Sequence, residues 1–227
     1  MKLSFPRNTT PRGILTNMLL AAVSLFVNGF GVYLTIRAGI GSAPWDVLNL
    51  GLSHTFRILY GTASIAVSFA VLAVDLALHE PIGIAMLIDA VTVGKSVDFF
   101  NYIDAVPVPK TIAGSVVMLF AGLFILGYTQ YTYMASALGC GPRDTLIVGL
   151  KRRTKRLPIG GVTVALHVVV TTVGWLLGGP VGLGTVLCVC FSGPIMQLAF
   201  RTVGFDATGI RHQNIPESLK IFFGKKE

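Results

Sequence analysis

The sequence predicts an all-α membrane protein with six transmembrane helices and two half-length helices, built as two inverted three-span repeats. Hydrophobic residues make up 53% of the 227 residues, and the mean hydropathy is +0.73. Charged residues make up 12%, about half of the roughly 25% found in soluble domains. Such a chain cannot cover a water-exposed surface. These values exclude a soluble catalytic domain and predict the lipid bilayer as the main surroundings of the chain.

Six apolar runs approach the roughly 20 residues that span a hydrocarbon core as a helix. They are 14–36, 62–78, 82–100, 112–134, 162–177 and 181–200. The first is longer than the apolar region of a signal peptide, so we expect it to be retained. The third is the least apolar because it contains Asp89, Lys95 and Asp98. Two further stretches, Pro44–Phe56 and 142–150, have only about half the length needed to cross at 1.5 Å per residue.

The two halves of the chain repeat each other. A shift of 98 residues aligns identical residues: Gly29, Tyr33, Gly41, Pro44, Asp46, Leu48, Gly51 and Leu52 with Gly127, Tyr131, Gly139, Pro142, Asp144, Leu146, Gly149 and Leu150. Further along, a shift of 99 aligns Gly61, Ala66, Val71, Val74, Pro81, Gly83 and Gly94 with Gly160, Ala165, Val170, Val173, Pro180, Gly182 and Gly193. Each half therefore consists of a long helix, a Gly-x-x-Pro-x-Asp turn, a half-length helix, and two helices joined by Pro-x-Gly.

Three spans per half require the second half to enter the membrane from the opposite side, as in many transporters. The loop 37–60 has two basic residues, whereas its counterpart 135–159 has six, which places the second loop and both termini in the cytoplasm. The predicted parts are a cytoplasmic N-terminal segment, two membrane repeats and a cytoplasmic basic tail: 1–13, 14–104, 105–203 and 204–227. An alternative with eight spans and parallel repeats would require both half-length helices to cross fully.

Basic residues are concentrated beside the spans. They precede the first run, occupy the second loop and follow the last run: Lys2, Arg7 and Arg12; Arg143, Lys151, Arg152, Arg153, Lys155 and Arg156; Arg201, Arg211, Lys220, Lys225 and Lys226. Such clusters can also indicate nucleic-acid binding. Because each of these adjoins a membrane span, they indicate topology, and no nucleic-acid partner is predicted.

The paired turns contain most of the candidate site residues: Pro44, Trp45, Asp46, Pro142, Arg143 and Asp144. Proline suits the first turn of a helix and aspartate suits its positive end, so a well-formed helix start explains part of the motif. Alternatively, both short helices re-enter the membrane and direct their N-termini at a substrate or ion. Trp45 and Arg143 break the repeat symmetry at one position. We expect Asp144, beside Arg143, to be mainly structural and Asp46 to exchange a proton more readily.

A seventh candidate, Asp89, lies inside the third span, where a carboxylate is costly and usually faces the bundle interior. We expect Asp89 to line a transport path. Asp75, His79 and Glu80, at the cytoplasmic end of the second span, are expected at the interface. His167, alone among apolar residues, is expected to be a packing residue rather than a proton relay.

Three segments resemble the YczE-type bacterial membrane proteins, which are related to the YitT group: GIGSAPWDVLNLGLS (39–53), LGCGPRDTLIVGL (138–150) and GGPVGLGTV (178–186). The resemblance extends from about residue 25 to residue 200. It implies a multi-pass protein of the bacterial cytoplasmic membrane, and its association with transport or export is weak. The first half departs from the pattern, with Ala85-Met86 where the second half has Gly184-Thr185.

The leading functional hypothesis is a small secondary transporter or exporter of an unidentified solute, in which two inverted halves rock around a central site. A passive channel, a non-transporting membrane scaffold and a lipid-embedded enzyme are the alternatives. No nucleophile–base arrangement and no metal-ligand spacing stands out, so we expect no enzyme activity, cofactor or metal. The predicted partners are the bilayer and a small solute, and a homo-oligomer is compatible with the sequence.

Overall fold

The computed structural model describes residues 8–154, 158–206 and 210–224, which form nine α-helices and no strands. The helices are α1 Pro11–Arg37, α2 Pro44–Phe56, α3 Tyr60–Ala77, α4 Ile84–Tyr102, α5 Ile112–Ala135, α6 Pro142–Arg153, α7 Ile159–Leu176, α8 Leu183–Val203 and α9 Ile215–Phe222. The basic residues Lys2, Arg7, Lys155, Arg156, Lys225 and Lys226 lie outside this described part.

The order of helix lengths in the first half recurs in the second. Helices α1 to α4 have 27, 13, 18 and 19 residues, and α5 to α8 have 24, 12, 18 and 21. Helix starts are also alike, because Thr10 and Thr111 cap α1 and α5 by accepting the N–H groups of Gly13 and Gly114 at 3.1 Å. The predicted half-length helices α2 and α6 both begin at the proline of their turn.

Five helices, α1, α3, α5, α7 and α8, are long and apolar enough to cross a membrane. Helix α4, the predicted third span, has sufficient length but carries Asp89, Lys95 and Asp98 within its 19 residues. Part of this charge is directed inward, since the Asp98 carboxylate accepts the Gly61 N–H at 2.8 Å. Large apolar side chains such as Leu19, Val117 and Leu176 are exposed by 61%, 70% and 74%, which indicates contact with lipid.

The two long helices α1 and α5 pack along each other, with α4 against α1 and α8 against α5. Each half-length helix packs on the other half, α2 on α7 and α6 on α3. The chain breaks before α2 and α6 are bonded in the same way. Gly184 N–H donates to Ile40 O at 2.6 Å, and Ala85 N–H donates to Leu138 O at 3.1 Å. The halves are therefore interlocked rather than placed side by side.

Both terminal segments dock on one end of the bundle. Asn8 donates through its side chain to Ser136 O, and Gln213 donates through its side chain to Asn8 O, both at 2.8 Å. Ile215 N–H donates to Ile82 O at 2.9 Å. This end, where the α3–α4 and α5–α6 loops also lie, is called the termini side below. The expectation of a plain basic tail missed α9, which starts with a capping box between Asn214 and Glu217.

Candidate functional site

A cavity of about 310 Å³ lies where the N-terminal ends of α2 and α6 approach each other. All seven predicted site residues belong to these helix starts or to α4, and the cavity wall includes Pro44, Trp45, Asp46, Asp89, Arg143 and Asp144, with Gly141 beside the buried Pro142. The fold therefore brings together residues that are about 100 positions apart in the chain. Broken backbone at such a place in a membrane protein is tolerated where it lines a cavity or is buried in protein.

Trp45 and Arg143 meet across the cavity. The guanidinium carbon of Arg143 lies 5.1 Å from the centre of the Trp45 ring, a cation–π geometry worth about 0.5–2 kcal/mol. The two residues occupy equivalent positions in the repeat, so this contact joins the two half-length helices at their first turns. Within the described part of the chain, Arg143 has no ion pair within 4 Å.

The carboxylates of the two turns have different surroundings. Asp46 is 4% exposed and accepts the Tyr60 hydroxyl proton at 2.7 Å, while Tyr60 accepts from the Asn49 amide at 3.3 Å. Asp144 is exposed and accepts from the Gln130 amide at 3.0 Å. The two differ in their surroundings, and which of them exchanges a proton more readily stays a prediction. The Arg143 side chain is drawn to Trp45 on α2, so Asp46 is the more tightly held carboxylate.

Asp89 lies against the start of α6. The position that a Cβ would occupy on Gly141 is 2.8 Å from Asp89 Oδ2 and 3.7 Å from Asp144 Oδ2, so both carboxylates lie close to this glycine. Gly141 is the N-cap of α6 and has no side chain to bond the free N–H groups, so the positive end of the helix favours both carboxylates there. The repeat counterpart of Asp89, Cys188, also lines the cavity. Asp89 thus faces the cavity, and its part in transport stays a prediction.

Several polar residues of the wall were missed by the sequence reasoning. Tyr60, Ser64 and Ser68 line the cavity from α3, and their spacing of four residues is a signal for one helix face. Gln130 was hidden in the apolar α5 run. His167, expected only to pack, also lines the cavity.

Two acidic residues expected at the cytoplasmic interface are buried within the protein, and their position at that interface stays a prediction. Asp75 is 0% exposed, and neither of its carboxyl oxygens has a hydrogen-bond partner in the described chain. Glu80 is 7% exposed, and its carboxylate lies 3.0 Å from Arg152 and 3.6 Å from Arg153. Both are covered because α6 packs over this end of α3, a contact that the sequence of α3 alone does not reveal.

Charge in the cavity is dominated by carboxylates. Among the described lining residues, Arg143 is the single Lys or Arg, and it shares the cavity with Asp46, Asp89 and Asp144. Such a cavity can take up protons or cations, while Arg143 and the helix starts provide donors for an acceptor group.

The helices and this central polar cavity define a multi-pass α-helical membrane protein. The model of a family of unknown function, DUF6198, matches residues 15–201, and the chain belongs to this family. It is 30% identical over 177 residues to the uncharacterized membrane protein YczE of Bacillus subtilis, covering 77% of this chain and 81% of YczE. An uncharacterized protein of Haemophilus influenzae is 33% identical over 181 residues, covering 80% and 81%.

The uncharacterized protein YyaS of Bacillus subtilis is 23% identical over 178 residues, which cover 78% of this chain and 88% of YyaS. The predicted resemblance to YczE-type proteins is confirmed, and the chain is a bacterial membrane protein with several spans. No solved structure gives a significant match.

Proposed function

We propose that this protein is a small secondary transporter of the bacterial cytoplasmic membrane that exchanges protons for a small solute at the central cavity. The observation that carries the proposal is the contact of Arg143 with Trp45 beside three carboxylates, where two half-length helices begin. Discontinuous helices whose N-termini converge on a polar cavity are the usual substrate sites of inverted-repeat transporters. Substrate binding and proton uptake there need no covalent chemistry, so the proposal includes no enzymatic step.

The inverted topology is part of the proposal, with α4 as the sixth span. The reciprocal contacts α2–α7 and α6–α3 support two equivalent halves related by an internal two-fold axis, and three spans per half invert the second half relative to the first. Charge supports a cytoplasmic termini side. The described basic residues on the termini side are Arg12, Lys151, Arg152, Arg153, Arg201, Arg211 and Lys220. Those at or towards the opposite end are Arg37, Arg57, Lys95 and Lys110.

The charge of the cavity favours a cationic solute. With three aspartates against one arginine, ionised carboxylates attract a cation, and protons that neutralise them compete with it. Trp45 offers an aromatic face on which an organic cation can replace the Arg143 guanidinium. Competition between cation and protons at one site is the requirement for antiport.

The test is proton flux in proteoliposomes. Purified protein is reconstituted with the pH dye pyranine inside, and tetraethylammonium or, for comparison, benzoate is added outside. We expect tetraethylammonium to release protons from the lumen in wild type, and Asp89→Asn to lower this flux at least about tenfold while folding stays normal. Asp104→Asn is the matched control, since Asp104 pairs with Arg37 in a loop away from the cavity.

Other outcomes separate the rival functions. Cation current that is linear in voltage and independent of protons would indicate a channel. Absence of flux for every solute identified by metabolite profiling of a deletion strain against an overproducer, combined with stable co-purification of one partner, would indicate a scaffold. A wild-type flux in the Asp89→Asn variant would remove Asp89 from the mechanism.

A further inference from the structure

In the first half, helices α3 and α4 are in direct backbone contact, and such a pair is called closed below. A Cβ on Gly94 of α4 would lie 2.8 Å from Gly61 O and 3.1 Å from Gly61 Cα, so the two backbones touch. The Gly61 N–H lies in the first turn of α3, where it has no partner within the helix, and the Asp98 carboxylate of α4 accepts it at 2.8 Å.

The equivalent helices of the second half are apart. A shift of 99 residues converts Gly61 and Gly94 into Gly160 and Gly193. In the described chain, no atom lies within 4 Å of a Cβ built on either glycine. Helices α7 and α8 form no packed pair, although α3 and α4 do. The same two small residues are therefore present in both halves, but they are in contact in only one.

Helix α8 is also held more loosely than α4 on its other face. At the equivalent crossing in the first half, Gly29 packs tightly on Ser96, whose hydroxyl donates to Phe26 O at 2.6 Å. In the second half, a Cβ on Gly127 would reach Ile195 only at an ordinary 3.4 Å. The α8 surface can therefore shift more easily than the α4 surface.

The closed and the open pair lie on opposite sides of the membrane. The α3–α4 loop is on the termini side, where Ile82 accepts from Ile215, so Gly61 at the other end of α3 lies on the opposite side. Helix α7 begins shortly after Arg153, which bonds to Leu78 of that same loop, so Gly160 lies on the termini side. On the closed side, Asp46 is 4% exposed and accepts a hydrogen bond from Tyr60 at the start of α3.

We propose that the structure is the termini-side-open state of a two-state exchange in which the halves swap conformations. In the other state, α7 and α8 close through Gly160 and Gly193 as α3 and α4 do here, and α3 separates from α4 to open the opposite side. Gln197 stands where Asp98 stands in the first half, and its amide oxygen can accept the Gly160 N–H on closure. This inference rests on the proposed transporter and identifies its two gates.

The test uses Gly160→Leu. The larger side chain fits while α7 and α8 are apart, because the space there is free, and it obstructs the state in which α7 and α8 are in contact. Ser64→Cys, one turn from Gly61 on the cavity wall, is the reporter in a chain with Cys140, Cys188 and Cys190 changed to serine. A membrane-impermeant maleimide is added to the side opposite the termini. We expect Gly160→Leu to lower the labelling rate roughly tenfold or more, because overpacking disfavours the closed α7–α8 pair by at least that factor.

Two further variants complete the experiment. Ala165→Leu on the exposed face of α7 adds similar volume away from the contact and should leave labelling unchanged. Asp98→Asn weakens the closed α3–α4 pair without filling it and should raise labelling severalfold. Equal labelling in Gly160→Leu and the parent, or no labelling in both the parent and Asp98→Asn, would overturn the exchange.

The outcome is separable from the proposed function. A labelling response without proton–tetraethylammonium exchange would support the two-state exchange and reject transport of that class. Flux in the pyranine assay that persists at the wild-type rate in Gly160→Leu would reject the exchange and keep the transporter.

Discussion

At the scale of single residues, each of the three cavity carboxylates, Asp46, Asp89 and Asp144, is stabilised by its own polar neighbour. An aspartate at a helix centre costs about 2.5–3.5 kcal/mol on insertion, so each one needs a polar neighbour. Asp46 has the Tyr60 hydroxyl, Asp144 has the Gln130 amide, and Asp89 lies at the start of α6. The partners come from three different helices, and each carboxylate is therefore sensitive to a different movement.

Asparagine substitutions should separate these roles. Asp46→Asn replaces the buried carboxylate that accepts a hydrogen bond from the Tyr60 hydroxyl. We expect the free energy of unfolding to fall by about 1–3 kcal/mol. Asp144→Asn keeps an oxygen that can accept from Gln130 at an exposed position and should stay within about 0.5 kcal/mol of wild type. Thermal unfolding in detergent measures both. A larger loss for Asp144→Asn would instead support the assignment expected from the sequence.

Glycine is required at the two chain breaks. Gly41 and Gly139 have φ of +108° and +125°, which L side chains rarely adopt, and a Cβ on them would approach Gly182 N at 2.6 Å and Gly83 Cα at 2.8 Å. Gly41→Ala and Gly139→Ala should each cost about 1–3 kcal/mol. Gly160→Ala, at an open helical position, is the control and should be neutral or stabilising by up to about 1 kcal/mol. Unfolding midpoints that match for all three would show that the breaks relax freely.

At the scale of elements, the two half-length helices are anchored differently. The end of α6 is anchored by Arg152 and Arg153 to the Glu80 carboxylate, and Arg153 also donates to Leu78 O at 2.5 Å. The end of α2 is anchored by a neutral bond from the Thr55 hydroxyl to Leu177 O at 2.9 Å. Among the described residues, the end of α6 is therefore anchored by ion pairs, whereas the end of α2 is anchored by a neutral hydrogen bond.

Removing Glu80 should release α6. Glu80→Gln leaves two arginines without their shared acceptor, and we expect a loss of about 1–3 kcal/mol. Arg152→Ala should cost less than about 1 kcal/mol, because its side chain is 62% exposed and Arg153 still reaches the carboxylate. Chemical denaturation in mild detergent would resolve the two values, and an equal loss for both would contradict a shared acceptor.

Docking of the C-terminal segment should depend on pH through His212, which lies outside the membrane spans. Burial lowers the pKa of His212 from its ordinary 6.5, and its Nδ1 is buried without a partner in the described chain. The neutral form is therefore favoured when docked, so docking is fully stable above about pH 6.5 and weakens as pH falls through the lowered pKa. The hydrogen-exchange protection of residues 210–222, measured relative to the intrinsic rate at each pH, should fall on acidification, and His212→Gln should abolish this fall.

At the scale of the whole molecule, the proposed topology determines which side of the membrane carries the excess of basic residues. It also determines which side each of the two proposed gates, α3–α4 and α7–α8, faces. Single cysteines placed at Leu59, which is exposed at the start of α3, after Lys110 and after Gly160 should react with an impermeant reagent from outside at the first two positions and from the cytoplasm at the third. The physical reason is the excess of Lys and Arg on the termini side. Labelling of the third position from outside would reject the inverted arrangement.

The sequence by itself determined the membrane class, the repeat and the helix positions. Apolar runs, Pro-Asp helix starts and the spacing of glycines are local properties, so the predicted and observed bounds differ by only a few residues. The largest difference is at the C-terminal end, where α9 lies in the predicted tail. The paired turns were also identified from the sequence, because their Gly, Pro and Asp residues recur at one shift.

Only the tertiary structure decided which of these residues meet and which half is closed. The Trp45–Arg143 contact, the burial of Asp46 and the covering of Asp75 by α6 depend on how one half packs into the other. The sequence contains the same glycine pair in both halves, at Gly61 and Gly94 and at Gly160 and Gly193. Near-equal surfaces cannot indicate which pair is in contact, because that choice depends on the relative free energies of two packed arrangements of the whole bundle.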